Sequence, residues 1–237
     1  ERLGVEHLEL RYQHKTNPDW PKKDLHVTFR KEIDPDPEVN MKAIPRKQRR
    51  MVRQGIENGL VSELDNGPER FFLAYAECVR NLGTPVHSKA YFSALKEVFG
   101  DECEIMSILH QGRVVSSVMS FLFKDQVLPY YGGGGLAARA GAANDFMYWD
   151  LLRRSCARGL RLFDYGRSKN GTGSYSFKKN WGFEPEPLHY EYTLYTRDSV
   201  PQNNPANPKY RTAIDVWRRL PRGVVNAIGP MLSRHLG

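Results

Sequence analysis

The chain has 237 residues, 40% of them hydrophobic, with 35 Lys and Arg against 27 Asp and Glu and a net charge of +8. That apolar content suffices for a packed core and excludes disorder throughout. The basic surface fits anionic partners: nucleic acid, phosphorylated carriers or an anionic membrane face. No run of about 20 apolar residues occurs, so nothing in the sequence reads as a spanning helix.

The first residue is Glu1, and the natural protein is expected to extend further at the front. Residues 5–12 and 25–33 alternate apolar and polar side chains and predict two strands, with a loop at Thr16, Asn17, Pro18, Asp19, Trp20 and Pro21 between them. They are too few to stand alone and read as the tail of a truncated domain. The run Asp34, Pro35, Asp36, Pro37 reads as a breaker.

A basic helix is expected over 45–58, stopped by Gly59, with Arg46, Arg49, Arg50 and Arg53 on one face and Ile44, Met51, Val52 and Ile56 as its few apolar residues. A face of like charges calls for an anion to meet it.

A regular series follows: a strand over 61–64, then a helix opened by Pro68 and stopped by Gly83, with Phe71, Phe72, Tyr75, Val79 and Leu82 inward. Ser88 caps the next helix, with Tyr91, Phe92, Leu95 and Phe99 inward and Gly100 as its stop. Strands over 104–110 and 113–123 flank a Gln111-Gly112 turn, and a third spans 127–131. Asn144 is expected to cap a helix ending at Gly159, with Phe146, Trp149, Leu152 and Cys156 on one face. A strand over 160–164, a Gly/Ser-rich loop, a short helix over 175–181 and an alternating strand over 189–196 complete the series.

The order predicts an antiparallel meander followed by a βαβ crossover. An Asn/Pro-rich linker over 201–208 leads to an amphipathic basic tail, interrupted at Pro221 and Pro230, that either packs on the domain or lies on a membrane surface.

Cys78, Cys103 and Cys156 form no CxxC or Cys/His cluster, so no zinc site is expected, and none of the seven histidines reads as a ligand. The cysteine pattern fits a reducing compartment.

This order resembles the GNAT acyltransferase fold, an α+β architecture with a mixed, mainly antiparallel sheet flanked by helices. Three stretches narrow the resemblance. The basic helix from Ile44 to Gly59 is similar to the one that joins the two GNAT-like halves of Fem proteins. Phe163-Asp164-Tyr165-Gly166-Arg167-Ser168 resembles the FDxGRS stretch of FemAB-like proteins. Phe177-Lys178-Lys179-Asn180-Trp181-Gly182-Phe183 resembles their FKxxWGF stretch. The subgroup most similar is the FemAB-like one associated with PEP-CTERM and exopolysaccharide systems.

The resemblance implies four segments: remnant strands of a truncated first half (1–40), a basic connecting helix (41–59), a GNAT-like domain (60–197), and a linker with an amphipathic tail (198–237). It also implies transfer of an acyl or amino-acid group to an amine of a cell-envelope precursor, of peptidoglycan or exopolysaccharide type. The co-substrate would be aminoacyl-tRNA or acyl-CoA, with no bound cofactor or metal.

Such chemistry needs the amine held neutral, the reactants aligned and charge supplied to a tetrahedral oxyanion. The FK pair of the Fem family implies that Lys178 provides that charge, with Phe177 beside it and Lys179 as a competitor. Asp164, at the end of a strand, could take a proton or orient a basic partner, and Arg167 could hold a phosphate. An Asp164–Arg167 ion pair fixing the turn is the bland alternative.

Tyr130 and Tyr131, before the Gly132–Gly135 run, could line a substrate path, the glycines admitting a ligand close to the backbone. Acetyl-CoA enzymes of the class carry an Arg/Gln-x-x-Gly-x-Gly/Ala turn next, whereas here Arg139 precedes Gly141 by two. Arg139, Arg49 and Arg53 complete the substrate-binding set. The expected partners are an anionic lipid- or nucleotide-linked precursor, charged tRNA, and a membrane surface met through 208–237. The expected location is the cytoplasm, at the inner face of the membrane. The rival from another class is a non-catalytic adaptor of an envelope assembly system.

Overall fold

The structure is a computed structural model that describes residues 4–201 and 211–234, leaving the side chains of Arg139, Ala140 and Arg211 outside the description. The linker expected beyond Pro201 lies outside the described residues. The chain divides into two compact units, one of residues 1–31 with 164–205, the other of residues 32–163 with 206–237.

The larger unit opens with helices α1 (Pro37–Ala43) and α2 (Arg46–Glu57). The break expected at 34–37 separates the strand His26–Glu32 from α1, and α1 itself was not expected. Asp36 accepts from the Glu38 N–H as N-cap, and Pro37 opens the first turn, where its missing N–H costs nothing. Next come β4 (Val61–Asp65), α3 (Glu69–Leu82), α4 (Lys89–Phe99), β5 (Cys103–His110), β6 (Arg113–Phe123) and β7 (Gln126–Gly134). After α5 (Leu136–Ala140) and α6 (Ala143–Ala157), the chain enters β8 (Leu162–Asp164).

Strands β4 to β7 pair antiparallel in sequence order, with Ser62 opposite Ile108 and Met106 opposite Val118. The crossover through α6 then brings β8 parallel to β7, Gln126 opposite Leu162 and Val127 opposite Phe163. Helices cover both faces. Met119 of β6 joins a cluster with Phe71, Val79 and Phe92 from α3 and α4. Ser116, of opposite parity on the same strand, reaches Asn144 and Met147 of α6.

Two capping expectations hold: Gly83 ends α3 in the left-handed region, and the Ser88 hydroxyl accepts from the Tyr91 N–H. Asn144 is not a cap. Ala142, left-handed at φ 58, precedes α6, and the Asn144 side chain instead accepts from Ser116. Leu82, Tyr91 and Phe99, expected inward, are largely exposed, because they lie at the flanks of the apolar stripes.

The tail forms α8 (Arg211–Arg219) and α9 (Arg222–Ser233), and α9 runs through Pro230 rather than breaking there. Both helices pack on α3, burying Trp217 and Val225. The approach is close. A Cβ on Gly83 would lie 2.4 Å from Ile214, and one on Gly229 would lie 3.1 Å from the Val86 carbonyl oxygen.

In the smaller unit, β1 (His7–Tyr12) and β2 (Lys22–Lys23) flank β11 (His189–Leu194), both antiparallel to it. Thus front strands find their partner near the far end of the chain. The Glu191 carboxylate, on β11, is fully buried and pins the 14–20 loop by accepting from the amides of Thr16 and Asn17. Strand β3 (His26–Glu32) carries two short partners, β9 (Ser168–Lys169) and β10 (Pro185–Pro187), and α7 spans Gly173–Asn180 with Thr172 as N-cap.

Among the described residues, no helix is long and apolar enough to cross a membrane.

Candidate active site

The smaller unit gathers four of the expected site residues around the turn that leaves β8. Asp164 is 9% exposed. Its Oδ1 accepts from the Gly166 amide at 2.7 Å and the Thr28 hydroxyl at 3.4 Å, and its Oδ2 lies 3.2 Å from Arg30 Nε. The ion pair expected with Arg167 is therefore not the one found. Arg30, on the same face of β3 as Thr28, takes that place, while the exposed Arg167 donates to the Tyr190 hydroxyl at 2.8 Å.

Lys178 faces the same turn from α7. Its Nζ donates to the carbonyl oxygens of Gly166 at 3.0 Å and Arg167 at 3.2 Å. It lies over the rings of Phe29 at 5.8 Å and Tyr165 at 6.0 Å. The surrounding wall is aromatic: Tyr165, Trp181, Phe183 and Phe29 are all buried. Desolvation in this wall pushes the lysine down to about 8, partly opposed by the charge of Asp164.

Helical spacing explains why Lys178 alone turns inward. Thr172 fixes the start of α7, the next residue Lys179 falls on the exposed side, and Phe177 is half-buried against Trp181 with ring centroids 6.2 Å apart. His26 stacks on Tyr190 at 4.9 Å and is pushed down to about 4 by burial and by the Arg167 charge, so it is neutral at neutral pH.

The remaining expected residues belong to the larger unit, in separate places. Tyr130 is the extra residue of a β-bulge: Met119 pairs with Tyr131 and Ser120 with Pro129, which leaves Tyr130 unpaired and 65% exposed. Tyr131 shares a hydrogen bond with Tyr91 at 2.9 Å and sits edge-on to Tyr75 and Phe92. Burial pushes the Tyr131 phenol well above its ordinary range.

The glycine run does not open the backbone to a ligand. A Cβ on Gly133 would lie 2.4 Å from Cys78 Sγ, one on Gly134 2.3 Å from the Val115 carbonyl oxygen, and one on Gly135 2.1 Å from Glu77. These glycines admit α3 and β6 against the strand end. Arg139 lies in α5, and its side chain is outside the described residues. The amides of Ala138 and Gly141 bond within that helical turn, to Gly135 and Ala137, so the segment closes on itself.

Arg49 and Arg53 line a concavity of about 640 Å³ along α2 together with Arg46, Arg50 and Glu57. The opposite side of α2 packs on α6: Gln48 donates to Asp145, and a Cβ on Gly55 would meet that of Phe146 at 2.8 Å. Arg49 donates to the Lys42 carbonyl oxygen.

Sequence reasoning missed Arg30, Thr28 and the aromatic wall. The one signal available was the alternation of Thr28 and Arg30 with the apolar Val27 and Phe29 along β3.

No curated protein matches the chain in sequence. Among solved structures, FemX superposes with a TM-score of 0.62 over 88% of this chain and 68% of its own length, at 12% identity. The C-terminal DUF2156 domain of an Agrobacterium fabrum protein assigned as a lysylphosphatidylglycerol synthetase gives 0.54 over 73% of this chain and 61% of its own, at 11% identity. Identities this low speak to fold alone, and the chain spans roughly two thirds of either structure. The fold they share with it is the expected one, α+β with a mixed, mainly antiparallel sheet between helices. The family model for the acetyltransferase (GNAT) domain matches residues 40–179, more than half of the sequence, and the chain belongs to that family.

Proposed function

We propose that this chain is a FemAB-like acyltransferase that moves an acyl or aminoacyl group onto an amine of a cell-envelope precursor. The observation that carries the reading is Lys178. It is a lysine in an FK pair, held in an aromatic wall and lowered to about 8 beside the Asp164 turn. Support also comes from the membership in the acetyltransferase family and the likeness of fold to FemX.

In the proposed reaction the acceptor nitrogen attacks the donor carbonyl carbon, and a C–N bond forms as the carbonyl electrons move to oxygen. Collapse of that oxyanion breaks the C–O bond of an aminoacyl ester or the C–S bond of a thioester. The amine proton leaves with the expelled hydroxyl or thiol. Lys178 uses two of its three N–H bonds on backbone carbonyls, and the third is available to the oxyanion. Asp164, its oxygens committed to Arg30, Gly166 and Thr28, serves as a positioning residue that holds the turn under Lys178. Arg167 and Phe177 contact substrate at the rim. Within the larger unit, taken by itself, the arginine face of α2 with Arg49 and Arg53 is proposed to bind phosphates, and Tyr130, Tyr131 and Arg139 are proposed as further substrate contacts.

Acyl-CoA is the co-substrate of GNAT acyltransferases, and aminoacyl-tRNA is that of Fem enzymes. Arg139 precedes Gly141 by two residues, so the turn that grips a pyrophosphate in acetyl-CoA enzymes is not matched, which favours aminoacyl-tRNA. Parallel titrations with acetyl-CoA and with charged tRNA test the choice of donor. Saturable binding of charged tRNA supports it, whereas binding of acetyl-CoA alone reverses it.

A further inference from the structure

A second cavity, of about 390 Å³, lies in the larger unit between α3, the start of β6, α5 and α9. Its chemistry is two-sided. Arg80, Arg113 and Arg222 line it with a single carboxylate, Glu77. Glu77 pairs with Arg222 at 3.0 Å, and Arg80 gives its Nε to the Leu220 carbonyl oxygen at 2.9 Å. No carboxylate lies at ion-pair distance from Arg80 or Arg113 among the described residues. The other wall is apolar: Leu73, Val114, Ala137 and Val225. Leu73 is 68% exposed, and Val224 and Ile228 on α9 are exposed as well.

Three guanidinium groups against one carboxylate leave the cavity short of two negative charges. That deficit matches a phosphate monoester, whose three oxygens accept well from guanidinium forks. A free inorganic phosphate would leave the apolar wall in water, so the ligand should also carry hydrocarbon. We infer that this cavity binds a phosphate ester of a hydrocarbon chain, its phosphate on Arg80 and Arg113 and its chain along Leu73, Val114 and Val225. The tail helix α9 is then one wall of a ligand site. The inference is independent of any acyl transfer at Lys178.

The test is calorimetric titration of the full chain with dispersed dihexanoylphosphatidic acid, alongside inorganic phosphate and dihexanoylphosphatidylcholine. Arg113→Ala and Leu73→Ser serve as variants, both altering exposed side chains and both checked for an unchanged thermal midpoint. Saturation at one equivalent is expected for phosphatidic acid, roughly tenfold tighter than for either control and weakened about fivefold or more by each variant.

Sedimentation with phosphatidylcholine vesicles, with and without phosphatidic acid, separates the sources. Arg113-dependent sedimentation identifies a bilayer lipid, and binding of the dispersed lipid alone identifies a soluble phosphate ester. Equal binding of phosphatidylcholine, affinity untouched by both variants, or no binding of phosphatidic acid overturns the inference.

Discussion

The Lys178 ammonium lies 3.0 Å from the carbonyl oxygen of Gly166, with the side chain 9% exposed and the charge carried over the rings of Phe29 and Tyr165. Two carbonyl dipoles and two ring faces replace only part of its hydration, which is why it titrates near 8 rather than 10.5. The same arrangement aims one cationic group at a fixed point, as stabilisation of an oxyanion requires.

The first prediction concerns pH. Protonated Lys178 is the active form, so the transfer rate should fall as pH rises through about 8. Lys178→Arg, charged at every accessible pH, should abolish that limb of the rate profile even if its rate is lower. The stability effect has the opposite sign. The unfolded chain binds this proton up to about 10.5 and the folded chain only up to about 8, so Lys178 adds stability as pH rises across that window. Chemical denaturation of the wild type and Lys178→Met at pH 7.5 and 9.5 checks it: the wild type should gain stability relative to the variant at the higher pH.

Asp164→Asn keeps the size of the side chain but removes the charge that Arg30 faces at 3.2 Å. The variant should lose about 1–3 kcal/mol of stability, because the half-buried Arg30 guanidinium no longer faces a carboxylate charge. Double-mutant cycles with Arg30→Gln read the coupling. If the two losses simply add, the pair does not hold the turn.

Gly133→Ala places a Cβ 2.4 Å from Cys78 Sγ at a φ of +147°. It should cost more than about 1 kcal/mol, lowering the melting point by several degrees. Cys78→Ala removes the sulfur and should recover part of that loss; the strained backbone keeps the rest. No loss in the single variant would restore the view that the glycine run is open space.

Arg49→Glu with Arg53→Glu reverses two charges on the outer face of α2, leaving the buried Gln48 and Val52 contacts untouched. Melting should fall only slightly, through loss of the exposed Arg49 bond to the Lys42 carbonyl oxygen. Affinity for charged tRNA should fall, and the slope of log affinity against log salt should shrink by roughly one to two. An unaltered slope would remove α2 from the donor site.

The chain's order of helices and strands could be read from residues whose role is local. Gly83 and Ser88 set helix ends by their own backbone or hydroxyl, and the Gln111-Gly112 turn closes a hairpin between neighbours. The break at 34–36 was legible, but helix α1 directly after it was not, because only the Asp36 side chain bonding the Glu38 N–H marks its start. Lys178 was legible through its motif, but its depth was not, since the wall around it comes from Phe29, Tyr165, Trp181 and Phe183, distributed over three stretches of chain. Arg30 could not be chosen as the partner of Asp164 over the nearby Arg167, because 134 residues separate the pair and only the packing of β3 on the turn decides between them. Sequence spacing likewise could not tell that the glycines fit Cys78 and Glu77 rather than a ligand.

The central claim meets its most direct test in a single-turnover transfer assay. The full chain would be mixed with isotopically labelled aminoacyl-tRNA, or with labelled acetyl-CoA, and a nucleotide-linked muramyl peptide bearing a free amine. The account predicts label on the amine from one of the two donors, reduced by about a hundredfold or more in Lys178→Ala that melts cooperatively. Transfer by Lys178→Ala at the wild-type rate, or no transfer from either donor, would contradict it.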